Sequence, residues 1–203
     1  MARSPTVIVV NSASPYRTLA DLLNAARANP GELTLAGIGP ASAIQIAFES
    51  LKRAAKSDMT FIPYPGTTPA VNALLGAHVT SVFGNYGDVA AQMKAGKLRA
   101  LAAASSMPID SLPDLPTIAE SGYPEYEADI WYGLVAPAKT PKESISKLAG
   151  WIAAALRVPE IKDKLAIQGL YPVGLCGADF GAFMRKQYIE YGRVIQDANI
   201  KEE

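Results

Sequence analysis

Three short segments hold the residue types best suited to binding chemistry. They are Gly37-Ile38-Gly39-Pro40-Ala41-Ser42-Ala43, Tyr64-Pro65-Gly66-Thr67-Thr68-Pro69-Ala70 and Gly84-Asn85-Tyr86-Gly87. Each is rich in small, hydroxyl or amide residues, lacks a catalytic acid, base or nucleophile, and precedes a stretch with helical periodicity. The N–H groups of a helix's first turn have no partner within the helix and carry partial positive charge, so they suit a carboxylate or a phosphate. Two such termini side by side make an anion site without Lys or Arg. Each segment alone also reads as ordinary structure. Gly37-x-Gly39 is a tight turn that lacks the third glycine of a dinucleotide fingerprint, since Ser42 or Ala43 stands there. Thr67-Thr68-Pro69 reads more readily as plain helix capping than as ligand contact. The three together say more than any one of them.

Other chemistry finds little support. No Gly-x-Ser-x-Gly elbow occurs, and Ser12-Ala13-Ser14 has no histidine partner in pattern. One His, His78, excludes a His-rich metal site, and one Cys, Cys176, excludes an internal disulfide. His78 sits in a helix-to-strand turn. Cys176 precedes a helix, where a thiol pKa can fall, but it also fits as a bland small residue. Asp88 can cap the third helix or touch a ligand. Trp131-Tyr132 can wall a cleft or fill a core.

The elements that must position these loops alternate. Val7–Val10 is a β-branched strand. Thr18 caps a helix whose stripe is Leu19, Leu22, Leu23 and Ala26, ending at Asn29-Pro30-Gly31. Strands are expected at Leu33–Ala36, Met59–Ile62, Val79–Phe83 and Leu98–Ala103. Between them come helices from Ile44 to about Ala55, from Thr68-Pro69 (N-cap then N1) to Leu75, and over Val89–Lys94. Pro63-Tyr64-Pro65-Gly66 reads as a rigid turn. The βαβαβαβαβ order implies a mainly parallel sheet covered on both faces, whose ligands bind beyond the carboxyl ends of the strands. Pro108–Tyr126 breaks the rhythm as a long connection with a short helix near Thr117–Glu120. Asp129–Ala136 is strand-like. Helices over Lys142–Leu156, Pro159–Gln168 and about Ala178–Asp197 follow, with a short strand at Tyr171–Val173.

The chain has 203 residues, 19 basic and 19 acidic side chains, and zero formal charge. That balance argues against a nucleic-acid binder, whose footprint is a clustered basic excess. A hydrophobic share of 49% excludes a disordered chain. No apolar run approaches the roughly 18 residues of a membrane span. Met1-Ala2-Arg3-Ser4-Pro5 does not read as a signal peptide, so the chain reads as cytosolic or already processed.

Several strings resemble one family. Val7-Ile8-Val9-Val10-Asn11, Thr18-Leu19-Ala20-Asp21-Leu22-Leu23 and Ala28-Asn29-Pro30-Gly31-Glu32-Leu33-Thr34 are similar to the Bug/TctC receptors of tripartite tricarboxylate transporters. Gly37–Ser42 resembles that family's serine- and glycine-rich loop, and Pro63–Ala70 its Pro-Tyr-Lys-Gly-x-x-Pro-Ala motif. Ala95–Ala102, Leu115–Gly122, Trp131–Pro137 and Val173-Gly174 also match, in order. The resemblance implies an α/β, type II periplasmic-binding-protein-like fold: one complete, mainly parallel lobe plus the C-terminal part of a second lobe. It implies a hinge-crossing strand at 1–10, the complete lobe at 11–128 and the remnant at 129–203.

The same resemblance implies a receptor with no catalysis, cofactor or metal, located in the periplasm. It would bind a small organic acid, a dicarboxylate or aromatic acid, and work with membrane transporter subunits. Carried over, the ligand contacts are Gly39, Ser42 and Ala43, then Thr67, Thr68 and Ala70, then Asn85, with Trp131 at the wall. Three departures stand out. The family's opening segment, with its signal peptide and Pro-Gly-Gly loop, is absent, which implies N-terminal truncation. Gly84 replaces an Asp that can meet an amino group, which favours a plain acid over an amino acid. Pro65 replaces a Lys. A truncated lobe would expose an apolar face and favour a homo-oligomer. Two other readings stay open: an α/β enzyme on a small anionic substrate, and a fragment without binding activity.

Overall fold

The computed structural model describes residues 1–105 and 109–201. Pro108, where the long connection is expected to start, lies outside the described residues. The chain divides into two compact units. The larger comprises Pro5–Ile130 with Gly192–Glu203, the smaller Met1–Ser4 with Trp131–Tyr191.

The larger unit is built on five strands: β2 (Thr6–Asn11), β3 (Thr34–Ile38), β4 (Thr60–Tyr64), β5 (Ser81–Asn85) and β6 (Leu98–Ala103), after a short β1 (Ala2–Ser4) that belongs to the smaller unit. Their order is β4-β3-β5-β2-β6. β3 runs parallel to both β4 and β5, whereas β2 runs antiparallel to both β5 and β6. Four of the five strands therefore share one direction and β2 opposes them.

Alternate side chains of one strand feed opposite faces of the sheet. Ile8, Val10, Leu35 and Phe83 join one core; Val7, Val9, Ala36 and Val82 join the other. Helices α1 (Leu19–Ala28) and α2 (Ala43–Ala55) cover the first face with Leu19, Leu22, Leu23, Phe48 and Leu51. Helices α3 (Thr67–Leu75) and α4 (Tyr86–Lys94) cover the second with Val71, Leu74 and Val89. Both faces of β2 are buried, which is why Val7-Ile8-Val9-Val10 is an unbroken apolar run. Residues 5–10, expected within a crossing strand, thus lie inside the larger unit's core.

Local signals account for most helix ends. Thr18 Oγ1 accepts from Asp21 N at 3.1 Å and Asp21 Oδ2 accepts from Thr18 N at 2.9 Å, a reciprocal capping box. α3 starts two residues earlier than expected: Gly66 takes the N-cap, and Thr67, Thr68 and Pro69 fill the first turn. Proline is tolerated there because that turn's N–H groups lack intrahelical partners anyway. β4 runs on through Tyr64, so Pro63 and Tyr64 are strand and not turn. No helix forms at Thr117–Glu120. Glu120 Oε2 accepts from Thr117 N and Oγ1, and Thr117 Oγ1 accepts from Glu120 N, closing a turn.

A second sheet, whose strands lie in the smaller unit apart from Ile130, has the order β7-β1-β8, with β7 at Ile130–Tyr132 and β8 at Tyr171–Pro172. Helices α5 (Lys142–Ala155), α6 (Pro159–Ile167) and most of α7 (Gly177–Asp197) complete the smaller unit. None of these helices buries a residue. Trp151, Tyr188 and Ile189 are 67%, 83% and 62% exposed, so α5 and α7 present apolar side chains to solvent. Among the described residues no helix is long and apolar enough to cross a membrane.

Candidate functional site

β3, β4 and β5 are neighbours and run parallel, so their carboxyl ends lie along one edge of the larger unit's sheet. Ile38 pairs with Tyr64 at the ends of β3 and β4. From these ends the chain passes into α2, α3 and α4. The three predicted loops therefore share one edge, each leading into a helix N-terminus.

In the first loop Gly39 has φ +54° and its N–H donates to Tyr64 O at 2.8 Å, tying the loop to β4. The left-handed backbone favours glycine here. Ser42 is the N-cap of α2, and its Oγ accepts from Gln45 N at 3.2 Å. Gln45 Oε1 in turn accepts from Ala41 N at 2.8 Å. These bonds leave the N–H groups of Ala43 and Ile44, in the first turn of α2, without a partner inside the helix.

In the second loop Thr67 is buried, and its hydroxyl donates to Asp88 Oδ2 at 2.8 Å. Thr68 is exposed. Ala70 is fully buried in the core, and its N–H donates to Gly66 O at 3.4 Å. Gly66 makes no side-chain cap, so the helix supplies no partner for the Thr67 and Thr68 amides. In the third loop Asn85 is the N-cap of α4. Its Nδ2 donates to Asp88 Oδ2 at 3.4 Å, and its buried Oδ1 accepts no hydrogen bond among the described residues. Tyr86 N donates to Pro5 O at 2.9 Å, which leaves the Gly87 amide at the head of α4.

The structure thus brings together Gly39, Ser42, Ala43, Thr67, Thr68, Ala70 and Asn85 on one edge. It also divides their roles. Gly39 and Ala70 use their amides internally, and Ser42 and Thr67 use their hydroxyls internally. Trp131 belongs to the smaller unit, where it packs edge-on against Phe180 and Phe183 with centroids 5.9 and 5.3 Å away. A Cβ at Gly133 would overlap the Phe180 ring, so a larger residue there must displace that ring.

Sequence reasoning overlooked Gln45, although Ser42-x-x-Gln45 has capping-box spacing. It also left open the part Asp88 plays in joining the second and third loops. Gly84 lies close to the second loop, for a Cβ there would be 3.3 Å from Thr67 Cγ2. His78 and Cys176 are exposed. Among the described residues no group of three or more His, Cys, Asp and Glu side chains is placed to hold a metal ion.

The arrangement is a row of helix N-termini at the carboxyl edge of a parallel strand trio, suited to an anion. Comparison with known proteins agrees in fold. The sequence profile described as tripartite tricarboxylate transporter family receptor (TctC) matches residues 1–200. BugT of Bordetella pertussis is 31% identical over 197 residues, covering 97% of this chain and 60% of BugT. A solved structure described as a periplasmic transporter is 33% identical with a TM-score of 0.85, covering 98% of this chain and 67% of that one. The R. palustris protein Rpa4515, solved with adipate, is 30% identical with a TM-score of 0.80, covering 98% and 67% respectively. The chain spans 60% of BugT and 52% of another curated relative, from Pseudomonas sp. strain P51. The fold is that of the type II periplasmic binding proteins, and the chain belongs to the TctC receptor family, which includes the Bug proteins.

Proposed function

We propose that this chain is an extracytoplasmic receptor for a small organic carboxylate, without catalytic activity, and that its ligand's carboxylate sits on the N-termini of α2, α3 and α4. One observation carries the reading: three helix N-termini lie along one sheet edge, in a chain whose sequence matches a receptor family from end to end. The contacts assigned are backbone amides of Ala43, Ile44, Thr67, Thr68 and Gly87, with Gly39, Ser42, Ala70 and Asn85 shaping the loops. Trp131 takes no part in this assignment.

The ligand class is a dicarboxylate or aromatic acid. Adipate in the R. palustris relative supports the dicarboxylate. Gly84 supports a plain acid over an amino acid, because it supplies no carboxylate for an ammonium group. By membership of the family the receptor works in the periplasm and delivers its ligand to membrane subunits of a tripartite transporter. In the family's plan the larger unit corresponds to the second lobe and the smaller unit to part of the first.

A thermal-shift screen with succinate, adipate and benzoate tests this. A ligand at 100 times its Kd stabilises by about 2.7 kcal/mol, which raises Tm by roughly 5–10 °C at this chain length. No shift with any acid, at millimolar concentrations, refutes the reading.

A further inference from the structure

The exposed apolar surface of this chain is concentrated in one of its two units. Among the described residues, every exposed large apolar side chain except Ile195 belongs to the smaller unit. Their exposed surface is on the order of 100 Å² each and about 1,000 Å² together. Each partner of a stable complex buries about 800 Å², so the area is enough for one.

Two elements have the sequence of covered structure and no cover. Residues 148–156, the last turns of α5 and its C-cap, read Leu-Ala-Gly-Trp-Ile-Ala-Ala-Ala-Leu, without a polar or charged side chain. They span about two and a half turns, so α5 is apolar all round there, the pattern of a helix buried on every side. Yet α5 buries no residue, and both Leu148 and Trp151 are exposed. The second element continues β7, which stands at the edge of its sheet. The sequence has a strand pattern over 129–136, but the strand stops at Tyr132. Successive strand side chains point to opposite faces. Leu134 and Val135 are 77% and 75% exposed, so neither face of this segment is covered. An uncovered apolar edge is a template for pairing with another chain.

Whatever covers this surface must itself be apolar over a similar area and needs no complementary charge. The larger unit of another copy offers Ile195 alone. The smaller unit of another copy meets the demand, and two identical patches close on each other about a twofold axis. We propose that the smaller unit is a homodimerisation surface, on which a second copy of this chain covers α5 around Leu148 and Trp151 and the edge at Leu134 and Val135. The strand-end loops of the larger unit have no part in it.

Sedimentation equilibrium of the 203-residue chain at micromolar concentration tests this. The expected mass is twice the 21.5 kDa of one chain, and Tm should rise with protein concentration, because unfolding is coupled to dissociation. Trp151→Lys and Leu134→Lys place a charge in each element, and each should raise the dimer's Kd at least tenfold, the scale of one interface anchor. Glu32→Lys, at an exposed position of the larger unit, is the control and should leave the Kd unchanged. Circular dichroism checks that the variants keep their helices; where one fails to fold, the other carries the test. A wild type that sediments as a single 21.5 kDa species overturns the proposal, as does an unchanged Kd in any folded variant of Trp151 or Leu134. Growth into open-ended assemblies overturns the closed pair. Each of these results leaves the carboxylate reading standing.

Discussion

Gly37→Ala should destabilise the larger unit because the added methyl has no room. Gly37 lies within β3, two residues before the left-handed Gly39. A Cβ at Gly37 would stand 2.6 Å from Ile44 Cγ2 and 2.8 Å from Phe61 Cε2. Ordinary carbon contacts begin near 3.5 Å, so Ile44 must retreat by about 0.9 Å. Ile44 is 3% exposed and sits in the first turn of α2, and Phe61 is held against Phe48 with centroids 5.5 Å apart. Neither can yield without repacking. Overpacking of this kind costs about 1–3 kcal/mol, which lowers Tm by roughly 2–10 °C in a chain of this length.

Gly39→Ala provides the contrast. No atom lies within 4 Å of a Cβ there, but φ is +54°. Its cost is backbone strain of about 1–2 kcal/mol. Asn tolerates that conformation, so Gly39→Asn should recover much of the loss, whereas Gly37→Asn should recover none. Far-UV circular dichroism melts of the four variants read both effects. A Gly37→Ala variant that melts within about 1 °C of wild type, or a Gly37→Asn variant more stable than Gly37→Ala, would refute the packing argument.

Thr18→Ala removes the cap of α1 and should cost about 1 kcal/mol in urea unfolding. Asp21 should show in the pH dependence of stability. The Arg17 and Thr18 amides hold its carboxyl below the usual range, so its folded pKa lies under its unfolded one. Its contribution is present above the unfolded pKa and is lost as pH falls through the folded value. Asp21→Asn should therefore flatten the acid limb of a stability–pH curve. Glu49 behaves oppositely: burial raises its carboxyl, with only partial compensation from Lys52. Its stabilising share is full below the unfolded pKa and is lost as pH rises through the folded one, so Glu49→Gln should gain on wild type as pH rises through that range.

Much of this architecture is written in local patterns. Leu19, Leu22, Leu23 and Ala26 repeat at helical spacing and are all buried, and Thr18 caps them as its spacing to Asp21 demands. The three helices of the smaller unit likewise begin at Lys142, Pro159 and Gly177, within a residue of their expected starts. The direction of β2 is a different matter. Val7–Val10 is apolar on both faces whichever way it runs, and the strand pairs with β5 and β6, which follow it by many residues. Nothing local encodes that choice. β1 is three residues long and pairs with Tyr171 and Pro172, about 170 positions away, so it carries no periodicity to read.

The candidate site was legible as loops and not as bonds. Composition pointed to the three loops, and the family resemblance to Gly39, Ser42, Thr67 and Asn85 within them. Which of them keep a free donor depends on Tyr64, Gln45 and Asp88, which reach them through the fold. Trp131 was open between a cleft wall and a core, and its ring contacts with Phe180 and Phe183 come from a helix some 50 residues later.

The central claim is that a ligand carboxylate rests on first-turn amides of three helices. Titrating adipate into 15N-labelled protein, followed by amide chemical shifts, tests it directly. The account predicts saturable shifts concentrated at Ala43, Ile44, Thr67, Thr68 and Gly87. Shifts confined to other residues, or none at millimolar adipate or succinate, would contradict it.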